Sequence, residues 1–276
     1  MSNRMSLRAD NAESVAGSKG LEWGVRAGIV CFGVVHLLIA WIALNLAFGG
    51  GGTSANQTGA LRTLSDNPFG AFLLWAVAAG FVALVVWQAL EARRHLALRA
   101  RGGGKQTGKA VAAVVRAVVY AAVAVTAVRI AIGAGSSSTS VDHVTRELMK
   151  LPAGPLIVGA VGVAIIGVGI AHAVRGIKAS FVEDLNDSAR GEGGRVVVPL
   201  GRVGFIAKGI AFGVVGALFV TAAVSFDPKK AGGLDVALHT LLQQPYGKWL
   251  LAAVALGLAC FGVYCFAWAK DVDPAR

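Results

Sequence analysis

The sequence predicts an all-α, polytopic membrane protein whose six transmembrane helices form three tandem, pseudo-repeated hairpins. Three observations lead there. Hydrophobic residues make up 55% of the 276-residue chain and charged residues only 15%, against about 25% charged in an ordinary soluble domain, and the mean hydropathy is +0.66. Six stretches reach the roughly 20 apolar residues needed to cross a hydrocarbon core about 30 Å thick. Finally, one segment recurs ahead of the even-numbered stretches. A soluble fold of this size still leaves about a quarter of its unfolded-chain surface in water, so the composition excludes a water-soluble enzyme. A disordered chain and a disulfide scaffold are excluded with it.

Residues 1–20 are polar and mixed in charge, as expected of a disordered cytoplasmic tail. They do not read as a secretory signal: the apolar run that follows is too long, and Asp10 and Glu13 stand where a basic segment would be. The expected spans are Gly24–Ala47, Phe69–Ala92, Val111–Gly133, Pro155–Lys178, Arg202–Val224 and Gly247–Ala269. Turn chemistry or charge bounds them: Gly49 to Gly52, Gly102 to Gly104, Ser136 to Ser140, Pro199 ahead of the fifth, and Asp227-Pro228-Lys229-Lys230 after it. The hairpins then cover residues 21–100, 109–185 and 200–270. Six spans put nineteen of the 26 lysines and arginines on the side of the N-terminus and seven on the other. By the positive-inside rule both termini face the cytoplasm. Trp23, Trp41, Trp75, Trp87, Trp249 and Trp268 fall within about two turns of a span end, the depth that indole rings prefer.

The repetition is legible residue by residue. Leu61-Arg62-Thr63-Leu64-Ser65-Asp66-Asn67-Pro68-Phe69-Gly70 returns as Leu238-His239-Thr240-Leu241-Leu242-Gln243-Gln244-Pro245-Tyr246-Gly247. A weaker copy runs from Thr145 to Pro152-Ala153-Gly154. Each unit reads as a span, an outer amphipathic segment, a Pro-aromatic-Gly turn and a second span, with the proline placed in the first helical turn, where its missing N–H costs nothing. Units with an even number of spans insert the same way up, so any pseudo-symmetry axis runs along the membrane normal.

This pattern resembles the bacterial domain-of-unknown-function family 1206. The matching features are the Leu-x-x-Leu segments ahead of Pro68-Phe69-Gly70 and Pro245-Tyr246-Gly247, the glycine-rich second helices, and a basic residue opening the odd helices, over roughly residues 20 to 270. The middle copy departs most, with Ala153 in the aromatic position. The resemblance implies three two-helix units and no reaction. Helix packing is expected at the small-xxx-small pairs Gly24/Gly28, Ala76/Gly80, Ala160/Ala164 and Gly209/Gly213.

Few residues carry chemistry. Gly103 to Ala110 nearly match a phosphate-binding loop, but Ala110 replaces the hydroxyl that would hold magnesium and no strand precedes it, so it reads as a basic connector beside anionic headgroups. His36 is at the midpoint of the first span, where an ionisable group is expensive. Gln88, His172 and Cys265 share one depth in the even spans, as either a lined path or interhelical hydrogen-bond glue. Arg116, Arg129 and Lys208 are read as snorkelling cations. Arg62, Arg146 and His239 occupy equivalent outer positions and would form a basic ring if the repeats pack about a pseudo-threefold axis. Cys31, Cys260 and Cys265 lack zinc or redox spacing. No catalytic, cofactor-binding or metal-ligating set is assigned, and membrane lipids rather than nucleic acid are the expected partners of the basic loops. The sequence thus favours a non-catalytic structural, accessory or interaction protein of the cytoplasmic membrane. A small channel or transporter is the alternative, and a lipid-acting membrane enzyme comes third.

Overall fold

The computed structural model of the chain describes residues 19–50, 53–100, 106–134, 141–185 and 193–272. Among them, every regular element is helical. In chain order these are α1 (Lys19–Ala47), α2 (Gln57–Ser65), α3 (Gly70–Ala100), α4 (Gln106–Ala131), α5 (Val141–Met149), α6 (Gly154–Lys178), α7 (Gly194–Ser225), α8 (Leu234–Leu242) and α9 (Gly247–Asp271). Short 3-10 turns follow at Ser180–Asp184 and Pro228–Lys230. α1, α3, α4, α6, α7 and α9 are long and apolar enough to cross a membrane, and they coincide with the six expected spans. α2, α5 and α8 are the short helices between the two long helices of each repeat.

Three boundaries differ from expectation. Of the expected tail, residues 1–18 lie outside the described residues, and Lys19 and Gly20 already belong to α1. α7 begins at Gly194, so Pro199 lies inside the helix rather than ahead of it. So near the N-terminus, a proline forfeits a single backbone bond while the rest of the helix continues. Of the loop resembling a phosphate cradle, Gly103, Gly104 and Lys105 lie outside the described residues, whereas Gln106 to Ala110 are helical from the start of α4.

The Pro-aromatic-Gly turns repeat in geometry as well as in sequence. Gly70, Gly154 and Gly247 each donate to a carbonyl three residues back, of Asn67, Leu151 and Gln244, and all three bonds are 2.8 Å long. Ala153 and Tyr246 hold φ of 60° and 59°, so a proline followed by a left-handed residue builds a type II turn. The prolines thus stand in the turn, and the helices start two residues later at the glycines. A Cβ on any of these glycines would run into the backbone of the preceding short helix. The weak middle copy therefore keeps the turn although it lost the aromatic.

The chain forms two compact units, Met1–Phe32 with Leu64–Gly135 and Cys265–Arg276, and Gly33–Thr63 with Ser136–Tyr264. They cut across the sequence repeats: the middle repeat gives α4 to the first unit and α6 to the second. In the first unit α4 packs along α3; in the second α6 packs along α7. Each pair is antiparallel, and only five residues separate α3 from α4, which favours their adjacency.

The two pairs use one period and different side chains. On α4 the buried Ala113, Tyr120 and Ala127 recur every seven residues, the spacing of a left-handed helix pair. On α6 the buried Gly162, Gly169 and Gly176 do the same. Cβ atoms there would come 2.9, 2.8 and 2.8 Å from the carbonyls of Gly216, Gly209 and Arg202, while one on Gly209 would lie 2.7 Å from the carbonyl of Gly169. This ladder lets two backbones touch where no hydrophobic drive exists between helices. Gly24, Gly28, Gly80 and Gly209 lie in helix contacts as expected. Ala160 and Ala164 do not; both are exposed, because the interface of α6 follows the seven-residue spacing of its glycines.

Candidate functional site

The second unit gathers the intramembrane polar residues around aromatic rings. Phe205 on α7 is the hub: Phe181 stacks on it at 5.1 Å, and Phe261 and Tyr264 of α9 meet it edge-on at 5.3 and 5.6 Å. His172 of α6 lies 5.9 Å from Phe205 and 5.5 Å from Phe212, with Nδ1 2.9 Å from the carbonyl oxygen of Val168 in its own helix. His36 of α1 is buried against Phe261, with ring centroids 4.9 Å apart. The Phe205–Phe261 pair therefore connects the environments of both histidines.

Two cations sit on the same rings. The Arg175 guanidinium lies 5.0 Å over Phe205 and pairs with Asp184. The Lys208 ammonium lies 3.9 Å over the face of Phe261, an attraction worth about 1–2 kcal/mol when desolvated. Lys208 stands about 21 Å along α7 from Gly194, deeper in its helix than a start at Arg202 would place it. Phe181 reaches this cluster from the Ser180–Asp184 turn: left-handed Ala179 ends α6 and turns the chain back, and the ring fills the space beside Gly201.

In the first unit Phe32, Phe81 and Tyr120 form a triangle of edge-to-face rings, with centroids 5.7 to 6.1 Å apart. Nearby, the buried amide of Gln88 accepts a 3.0 Å hydrogen bond from Arg116 Nε. Gln88 and His172 therefore have different partners: one joins α3 to α4, the other lies among phenylalanines in the second unit. Cys265 is fully buried, and all three cysteines are free thiols. Glu91 makes contacts along its own helix, 3.7 Å to Arg94 and 3.4 Å to His95.

Arg62, Arg146 and His239 fall on the three short helices α2, α5 and α8. Arg62 and His239 are exposed and Arg146 is half-buried; His239 Nδ1 lies 3.8 Å from the carboxylate of Asp235. Asp235 also accepts a 2.6 Å bond from the Ala55 N–H. It thus ties the segment ahead of α2 to α8, while α5 packs on the Pro228–Lys230 turn.

Reading the sequence singled out the histidines and missed the rings around them. Phenylalanine is ordinary in a span, so only a seven-residue count, such as Phe205 with Phe212, could have marked one helix face. Asp235 was equally missed, as an unremarkable acidic residue in a first helical turn. Among the described residues no three His, Cys, Asp or Glu side chains converge as a metal site would require.

Six apolar spans, three turns closed by the same hydrogen bond and intramembrane aromatic clusters define a multi-pass α-helical membrane protein built from a triplicated hairpin. The chain belongs to the family described as Domain of Unknown Function (DUF1206), which matches three times, at residues 27–95, 111–179 and 203–270. It is also 31% identical over 241 residues to the uncharacterized protein YxxB of Bacillus subtilis (strain 168), covering 87% of this chain and 86% of that one. No solved structure matches it.

Proposed function

We propose that the chain is a non-catalytic structural, accessory or interaction component of the cytoplasmic membrane. The observation that carries this reading is the filling of the units: rings of Phe181, Phe205, Phe261 and Tyr264 pack the space around the polar residues of one, and Phe32, Phe81 and Tyr120 do so in the other. A conducting path or a reaction site needs water or substrate beside its polar groups; here aromatic faces occupy that place. Both termini face the cytoplasm, on the strength of nineteen basic residues against seven. The basic loops on that side attract anionic headgroups; a net charge of +11 follows from this topology without nucleic acid.

A second reading, a small channel or transporter, draws on one observation: the aromatic cluster of the second unit holds both Arg175 and Lys208 beside the two histidines. Reconstitution decides between them. Liposomes carrying the purified protein are expected to retain protons, small ions and small solutes as well as protein-free liposomes do. Leakage that His36→Ala abolishes would overturn the structural reading. Tags at either terminus should resist protease added to intact cells, and their cleavage would invert the topology.

A further inference from the structure

We infer that Arg116, oriented by Gln88, binds the phosphate group of a membrane phospholipid in the leaflet beside the α3–α4 connection. Arg116 stands ten residues into α4, about 15 Å along the helix axis, and is flanked by Val114, Val115, Val118 and Val119, all exposed. This is a lipid-facing surface, yet a guanidinium stays charged in it.

Geometry sets the direction of the side chain. At the connection end of the helix pair, His95 Nδ1 lies 2.9 Å from Gln106 Oε1. Carried along two antiparallel helices, that register brings Gln88 level with Ala113. Arg116 therefore reaches back about one turn toward the connection to meet Gln88, as long helical side chains do. Its head then lies nearer the membrane surface than its backbone.

The bond to Gln88 uses one of five N–H groups, that of Nε. Among the described residues, the four on the Nη atoms meet no protein acceptor. Glu91, one turn along α3 from Gln88, is within reach of Arg94 and His95. Unsatisfied donors are costly in hydrocarbon, and a planar pair of N–H groups matches two phosphate oxygens. A simple snorkelling arginine would need no buried glutamine. Gln88, only 4% exposed, holds Nε and presents the other edge of the fork to lipid. Phospholipid delivers a phosphate to that depth with its chains already in hydrocarbon, whereas free phosphate would have to shed its water.

The test is native mass spectrometry of the full chain in mild detergent, titrated with phosphatidylglycerol. Arg116→Leu should weaken the tightest lipid-binding event about tenfold, the scale of a hydrogen bond to a charged group. Arg116→Lys, which keeps the charge without the fork, and Gln88→Leu should each weaken it less. Arg129→Leu should leave it unchanged. Phosphatidylcholine should compete because it shares the phosphodiester; diacylglycerol and millimolar inorganic phosphate should not. Undiminished binding in an Arg116→Leu protein of normal helix content would overturn the proposal, as would displacement by free phosphate. Should Arg116→Leu fail to fold, unchanged binding in both Arg116→Lys and Gln88→Leu would overturn it equally.

Discussion

The α3–α4 pair of the first unit and the α6–α7 pair of the second apply one seven-residue period to opposite ends. In the first, Tyr120 stands between two alanines and its ring joins Phe32 and Phe81 in an uncharged triangle. In the second, three glycines clear the helix contact, and the rings gather instead around Phe205, where they meet two cations and a histidine. Period sets which residues face a neighbouring helix, and residue size sets how closely backbones approach. Close backbones leave rings no room between them, so the aromatic residues are pushed to the flank of the glycine ladder. There they can cover charge.

The sharpest way to break this contrast is to put bulk into the ladder. Gly169→Leu should cost about 3 kcal/mol or more, since the Cβ meets backbone rather than a yielding side chain. Ala160→Leu on the exposed face of the same helix should stay within about 0.5 kcal/mol. Denaturant titration in micelles, followed by circular dichroism, separates the two, and equal effects would refute the ladder. Next in size is the aromatic hub. Phe205→Ala should destabilise by about 3 kcal/mol, and more than Phe32→Ala, because it also uncovers the Arg175 guanidinium; the same titration checks the order. A smaller loss, about 1–2 kcal/mol, is expected of Asp235→Ala, which leaves the Ala55 N–H without its acceptor. Amide hydrogen exchange should show it locally, as faster exchange at Ala55. Smallest, Ala153→Gly should stabilise by about 1 kcal/mol by relieving a left-handed residue, a gain visible as a higher thermal midpoint.

Much of the fold was legible in the chain. Apolar runs of fixed length are dictated by bilayer thickness, so all six spans could be read without any tertiary information. The turns were legible through Pro68, Pro152 and Pro245 with their following glycines, although the proline fell in the turn rather than in the helix. Helix contacts were only partly readable. Gly28 and Gly80 have the four-residue spacing of a familiar pair and do meet, whereas the α6 contact uses a seven-residue spacing that a search by fours passes over. The candidate residues divide in the same way. An ionisable group in an apolar run is conspicuous, which exposed His36, His172, Arg116 and Lys208. Their partners Phe261, Phe205 and Gln88 come from other helices, and which helices meet is not written in any one of them.

The sequence by itself determined how many helices cross the membrane, where they turn and that one hairpin is used three times. Each of these depends on local length, hydropathy and turn chemistry. Only the tertiary structure decided that α3 also packs along α4 and α6 along α7, so that helices pair across the repeat boundaries as well as within repeats. It also decided that a ring covers Lys208 and that an amide orients Arg116. Such contacts depend on the register between separate helices, and register is set by which surfaces fit together.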